Sequence, residues 1–386
     1  MILIYWDTIQ VIYLSYLALL SIVIIRAMTF SKILIIIQRS NGDVLLSSSL
    51  IQNLAKYYNP TFIDLLVNDD TIAIAKMLPN IRNIYTFSYK EKKEHRIKQE
   101  VNIIKKIYKN YDLSINLTSS DRSVLYAILA SKYSISAIEN NNKKSWWKKI
   151  LLNNYYIFDV KKHILLNNLE PLKLIGIKQE DNEISLNIDD SVIEKIKLRL
   201  ADFHIFKFII FHPSAQYSYK IYPQKLRNDL LLMLNNLKIP IIISGGSNNI
   251  DSQISRQIPE LKNVFNWIGE TSIEEYVALS YLSDAYIGMD TLNMHVAASQ
   301  NKRIFAIFGP TNLSMWAPWS SQLYSKTLDN APIQTYDHIT IFQANLACVA
   351  CGKAGCDDSH GKSECLDHIN PKVVFDEVQK WKSKLP

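Results

Sequence analysis

Five consecutive branched aliphatic residues, Ile33 to Ile37, are followed almost at once by a polar turn, Ser40-Asn41-Gly42-Asp43. A run this short, without polar alternation and closed by turn residues, reads as a strand buried on both faces. The pattern recurs along the chain. Val44 to Tyr57 reads as helix, Phe62 to Val67 as strand, Thr71 to Met77 as helix, and Asp112 to Leu117 as a strand leading into a helix at Asp121. Further on, Phe208 to Phe211, Ile241 to Ile243, Ala285 to Gly288 and Arg303 to Phe308 read as strands. Helices are expected over Pro223 to Leu237, Tyr276 to Leu282 and Pro371 to Trp381, the second opened by a Ser272/Glu275 capping box. Buried strands alternating with helices specify parallel α/β units. At 386 residues the chain exceeds one ordinary core, so two Rossmann-like domains are expected. Their bounds are 31–170 and 196–386, with a linker at 171–195 marked by Pro171, Gly176 and an aperiodic polar run. Two such halves facing each other would bind a ligand in the cleft at the C-terminal ends of their strands.

The 48% hydrophobic and 20% charged content is that of a globular protein and excludes a disordered, collagen-like or mucin-like chain. A net charge of +7 suits an anionic substrate or a membrane surface, but it is too dispersed to imply nucleic acid, and no nucleic-acid-binding pattern is present. All four cysteines fall between Cys348 and Cys365, which leaves the rest of the chain unstapled, as in a reducing cytoplasm. The spacing of Cys348, Cys351, Cys356 and Cys365, with His360 and His368 nearby, permits a closed structural zinc site, four reduced thiols or two disulfides. Residues 1–30 stand apart. Ile9 to Ile25 is almost wholly apolar and sits at the short limit of the ~17–25 residues a span needs, so a helix buried or lying at an interface is expected. Asp7 before it and the lack of a small-x-small site after it argue against a cleaved signal. If it spans, Arg26 and Lys32 hold the remainder in the cytoplasm.

The strand ends carry the chemistry. Gly42 permits a tight turn, and Asp43 stands at a helix start, either as an N-cap or as a general base. His212-Pro213-Ser214 closes another strand, with Lys220 in the following loop as a solvated lysine or a phosphate-holding charge. Ser244-Gly245-Gly246 ends a third, where glycine allows close approach of a ligand or of backbone. Gly288-Met289-Asp290-Thr291, running straight into Leu292 to Ala298 with His295, places free N–H groups and a helix dipole at a strand end, as a diphosphate site requires. The plain alternative is capping by Asp290 or Thr291, with His295 in the core. Phe308-Gly309-Pro310-Thr311 and Trp316-Ala317-Pro318-Trp319 follow the next strand. Trp146 and Trp147, flanked by Lys143, Lys144, Lys148 and Lys149, read as a loop facing a membrane or an acceptor. Tyr89 to Asn110 reads as an amphipathic surface helix with Ile97, Val101, Ile104 and Tyr108 on its apolar stripe.

In this order, Gly42-Asp43, His212-Pro213-Ser214 with Lys220, Gly288 to Ala298, and Phe308 to Thr311 ending Trp316 to Trp319 resemble the motifs of family 9 glycosyltransferases, the lipopolysaccharide heptosyltransferases. The cysteine tail resembles the subgroup that adds the third, branching heptose. The resemblance implies a GT-B fold and inverting, metal-independent transfer from ADP-heptose to the inner-core oligosaccharide, at the cytoplasmic face of the inner membrane. It carries the base onto Asp43 and the donor contacts onto Ser214, Lys220, Asp290, Thr291 and His295, with His212 and Gly245 beside them. Asn41, Gly42, Trp146 and Trp147 form the expected acceptor set. No cofactor is expected, and no Asp-x-Asp triplet, the metal-clasping pattern of the other glycosyltransferase architecture, occurs. The family commonly has Gly after the Asp-Ser/Thr pair, whereas Leu292-Asn293 stands here, which shifts the expected diphosphate contact toward Thr291 and Lys220. The rival readings are the same fold with another nucleotide sugar, and a non-catalytic, membrane-associated glycolipid-binding protein.

Overall fold

A computed structural model describes residues 29–180, 182–324 and 328–384. The apolar segment expected over 1–30 lies almost wholly outside them; among the described residues no helix is long and apolar enough to cross a membrane. The chain forms two units, Met1–Asp159 with Leu165–Asn182, and Val160–Ile164 with Glu183–Pro386. The division is therefore not a single cut. Five residues, Val160 to Ile164, belong to the second unit although the chain then returns to the first.

The first unit contains β1 (Lys32–Ile37), β2 (Phe62–Asn68), β3 (Ile81–Phe87), β4 (Tyr111–Asn116), β5 (Ser131–Ile138) and β6 (Asn154–Ile157). They pair in parallel in the order β3-β2-β1-β4-β5-β6. All five apolar residues of β1 are buried, as a central strand covered on both faces requires. Strand β2 carries a fully buried carboxylate, Asp64, bound by Arg82 Nε (2.9 Å) and Nη2 (2.7 Å), Tyr111 Oη (2.7 Å) and the Asn83 N–H (3.1 Å). Burial alone would raise its pKa, but hydrogen bonds from Arg82 and Tyr111 outweigh it and hold the carboxyl below the usual range.

The second unit contains β7 (Ile209–His212), β8 (Ile241–Ile243), β9 (Val264–Asn266), β10 (Ala285–Met289), β11 (Arg303–Ile307), β12 (Ile333–Tyr336) and β13 (Ile339–Phe342). The parallel part runs β9-β8-β7-β10-β11-β13, with β12 antiparallel on the edge. In chain order this repeats the arrangement of the first sheet, so each unit has one switch point: between β1 and β4, and between β7 and β10. Ligands in open α/β sheets bind at such points, beyond the strands' C-terminal ends.

Three expectations need correction. The segment Val44 to Tyr57 is two helices, Asn41–Leu45 and Ser48–Tyr57, because Ser47 Oγ donates to the Val44 carbonyl at 2.7 Å and ends the first. Of the expected stripe on the helix Tyr89–Ile107 only Ile104 packs against the core; Gln99, Ile103 and Ile107 are the buried residues, and Ile97, Val101 and Tyr108 are exposed. Within the stretch assigned to a linker, Glu170–Leu174 is helical, and Asp190–Asp202 begins a further helix capped by Asp189.

Candidate active site

In the first unit, Ser40 is the N-cap of Asn41–Leu45, and Asp43 is the third helical residue rather than the cap itself. Ser40 Oγ donates to Asp43 Oδ2 at 2.7 Å, the Ser40 N–H follows at 3.3 Å, and Arg39 Nε lies 2.7 Å from Oδ1. Two hydrogen bonds from Ser40 and an ion pair with Arg39 hold one buried carboxylate just beyond the end of β1, at the switch point, with Oδ1 left without a hydrogen-bond partner. Gly42 lies within the helix and not in a tight turn, since its backbone is not left-handed. Asn41 Oδ1 is buried without a hydrogen-bond partner, and Asn41 Nδ2 reaches the Asp70 carbonyl only at 3.5 Å. Sequence reading missed Arg39; its i,i+4 spacing to Asp43 was the available signal.

Trp146 and Trp147 are not on a loop. They lie in the helix Asn142–Leu151, whose first N–H groups, those of Lys143 and Lys144, bond to Asn141 Oδ1. Trp147 packs against Val124, Ile138 and Leu152, while Trp146 is 60% exposed. Lys148 is fully buried, its ammonium held by Glu139 Oε2 (2.8 Å), Asp121 Oδ1 (2.8 Å) and the Ser119 carbonyl (2.6 Å). This helix follows β5, two strands from β1 in the sheet, and among the described residues no hydrogen bond, ion pair or ring contact joins the tryptophans to Asn41, Gly42 or Asp43.

In the second unit the predicted donor residues converge at the ends of β7, β8 and β10. Lys220 Nζ pairs with Asp290 Oδ2 at 3.2 Å, joining the loop after β7 to the residue after β10. Thr291 is the N-cap of Leu292–Ser299 but makes no side-chain capping bond, which leaves the first-turn N–H groups open. His212 Nδ1 lies 3.0 Å from the Ser244 carbonyl and 2.9 Å from Asn293 Nδ2. Asn293, one of the two departures from the family pattern, thus serves to hold His212, and Leu292 has no left-handed backbone that would require glycine. Burial lowers His212 and His295 to about 4, so both rings are neutral near pH 7. His295 Nδ1 is buried without a partner. Ser214 is buried in the loop after β7.

Two glycines are fixed by close approach. Gly288 sits opposite His212 in the β7/β10 pairing, where a Cβ would fall 2.4 Å from the His212 carbonyl oxygen. At Gly245 a Cβ would meet Asp251 Oδ1 at 2.9 Å. Asp251 was not foreseen. It is buried beneath this loop with Oδ1 unpartnered, one turn into the helix Asn249–Gln257. Also unforeseen is His163, whose Nε2 donates to the Ala317 carbonyl at 2.9 Å and whose ring lies 4.8 Å from that of Trp319; burial lowers its pKa to about 3. The four cysteines are free thiols, and burial pushes the Cys365 thiol up to about 11. Among the described residues no three His, Cys, Asp or Glu side chains converge as a metal site.

The model of glycosyltransferase family 9 (heptosyltransferase) matches residues 101–340. The chain belongs to this family. The cluster around Lys220 and Asp290 lies beyond the C-terminal ends of β7 and β10, at the switch point of the second sheet, where open α/β sheets bind ligands. Among relatives, the lipopolysaccharide heptosyltransferase 3 of Escherichia coli K12 is 26% identical over 292 residues, 74% of this chain and 84% of that protein. Similar solved folds include two from E. coli. The E. coli ADP-heptose LPS heptosyltransferase II has a TM-score of 0.67 at 17% identity, covering 92% of this chain and all of that one. The E. coli heptosyltransferase WaaC with ADP-2-deoxy-2-fluoro heptose also has a TM-score of 0.67, at 13% identity and 90% and 99% coverage. The chain is a glycosyltransferase with the GT-B heptosyltransferase fold.

Proposed function

We propose that this family 9 glycosyltransferase moves a heptose from ADP-heptose to the inner-core oligosaccharide of lipopolysaccharide, with inversion and without a divalent metal. The observation that carries the reading is the Lys220–Asp290 pair at the open N-terminus of Leu292–Ser299. A lysine and a row of unbonded N–H groups are a pre-set receptor for a diphosphate, and Asp290 holds the lysine until the diphosphate arrives. The E. coli relative named for lipopolysaccharide heptose transfer, and a solved neighbour containing a fluorinated ADP-heptose, support the choice of donor and acceptor.

In the proposed reaction Asp43 accepts the proton of an acceptor hydroxyl as that oxygen attacks the anomeric carbon. The bond from this carbon to the β-phosphate oxygen breaks, and ADP departs with the electron pair. Lys220 and the helix N–H groups carry the charge that develops on the leaving oxygen, a task fixed donors perform without reorganising. One displacement inverts the anomeric centre. The absence of an Asp-x-Asp triplet and the presence of these cationic groups support a mechanism that needs no metal. Trp146, Ile150 and Leu151, exposed beside Lys143 and Lys144, support docking of the first unit on an anionic glycolipid surface at the cytoplasmic face of the inner membrane.

The test is ADP release by the purified protein given ADP-heptose and a heptose-containing truncated lipopolysaccharide, with Asp43→Asn and with chelator in parallel. Release that needs acceptor and Asp43 and survives chelation supports the reading; release abolished by chelator removes the metal-independent mechanism. The Leu292-Asn293 departure favours one second reading, a different nucleotide sugar, which a panel of donors in thermal unfolding separates from ADP-heptose. A glycolipid-binding protein without activity would release no ADP, and Asp43→Asn would leave glycolipid binding intact.

A further inference from the structure

The second unit contains a cavity of about 330 Å³ that none of the candidate donor residues lines. Its wall includes Arg227, on the first turn of the helix Gln224–Asn235, and Lys362 and Ser363; no carboxylate lines it. Arg227 is only 1% exposed, yet the structure gives it no acidic partner: Nη2 donates to Gln257 Oε1 at 2.9 Å, and Nε lies 3.4 Å from Asn228 Oδ1. A guanidinium has five donors, so capacity is left over. Its position aggravates the cost. The start of a helix is its positive end, this helix has no acidic residue in its first turn, and its N-cap, Pro223, offers no side-chain acceptor to the open N–H groups. Burial lowers Arg227 to about 10, the direction expected for a cation removed from water without compensation. On the same wall, Ser363 Oγ is buried without any hydrogen-bond partner. A sealed cation, an idle hydroxyl and an uncapped helix start share one need, which is a negatively charged acceptor.

We propose that this cavity binds a small oxyanion, the phosphate or carboxylate group of a metabolite-sized molecule, with Arg227 as the charged anchor and the Ser363 hydroxyl as a second donor. The site is separate from the nucleotide residues, although Tyr219 lines the cavity and its neighbour Lys220 pairs with Asp290.

The experiment is thermal unfolding of the full-length protein in saturating ADP, titrated with sodium phosphate or sodium acetate against sodium chloride at constant ionic strength, for the unmodified chain, Arg227→Met and Ser363→Ala. The expected result is a saturable rise in Tm with phosphate, with acetate or with both, the stronger arm naming the group. Arg227→Met abolishes the rise, and Ser363→Ala weakens the half-saturating concentration by about tenfold, the loss of one charge-assisted hydrogen bond. No rise above chloride, or a rise undiminished in Arg227→Met, overturns the proposal. So does an Arg227→Met protein that loses stability equally with and without anion, since Arg227 would then be structural only. If Arg227→Met fails to fold, Ser363→Ala decides: an unchanged titration overturns the site.

Discussion

Three buried histidines place an acid limit on the stability of the second unit. Burial lowers His212 and His295 from 6.5 to about 4, and His163 to about 3. Each is neutral in the folded chain, whereas the unfolded chain takes up a proton near pH 6.5. Where a folded pKa is depressed below the unfolded one in a basic group, the unfolded state binds more protons in the window between them. The stabilisation is therefore complete above about pH 6.5 and declines as pH falls toward 4. With ~1.36 kcal/mol per pK unit, each histidine forfeits about 2 kcal/mol on going from pH 7 to pH 5. All three forfeit about 6 kcal/mol, against the ~5–15 kcal/mol that holds a typical domain together. The perturbation that isolates one of them is His295→Leu, because His295 Nδ1 has no partner to strand. Chemical denaturation of both proteins, followed by circular dichroism across this range, should show the wild type losing about 2 kcal/mol more than the variant between pH 7 and pH 5. Parallel profiles, or a wild type whose stability does not change over the range, would refute the reasoning.

Asp43→Asn keeps the size of the side chain but removes the proton acceptor. Turnover should fall by about 10²–10⁴-fold while ADP-heptose affinity, measured by calorimetry, stays within about twofold. Lys220→Met should weaken ADP binding by about 10–100-fold, the worth of one charge-assisted hydrogen bond, and the loss should shrink at high salt. Lys148→Met strands Glu139 and Asp121, but both retain access to water, so the cost in denaturant should be about 2 kcal/mol rather than the ~3–5 kcal/mol of a sealed pair. Gly288→Ala forces a methyl group against the His212 carbonyl and should cost about 3 kcal/mol or more, with ADP binding lost alongside, since both site strands must shift.

β5 and β13, although interior, were missed, while strands such as β1 and β8 were legible because a strand covered on both faces leaves an unbroken apolar run, as Ile33 to Ile37 and Ile241 to Ile243 do. Edge strands were not. β3 and β12 mix exposed and covered positions over short lengths, and their sequences do not separate from loop. Asp43 and Asp290 could be named because chain position puts them just past strand ends, whereas Lys220, eight residues beyond β7, was singled out by the family resemblance. Other contacts could not be read: Asn293 meets His212 only through the pairing of β7 with β10, and Asp251 comes under Gly245 only through the fold of the loop after β8. The tryptophan pair misled because flanking lysines suggest an exposed loop, and nothing local shows that Lys148 turns inward to two carboxylates.

The five residues Val160 to Ile164 matter for anyone exchanging halves between family members. A single junction near residue 183 would carry this segment over from the wrong parent. His163 would then face a foreign counterpart of Ala317 and Trp319, and Val160 would offer its carbonyl, now bonded to Asn312 Nδ2 at 3.1 Å, to an untested neighbour. A working hybrid of the two units therefore needs three seams, with Val160 to Ile164 travelling in company with the residues from Glu183 onward.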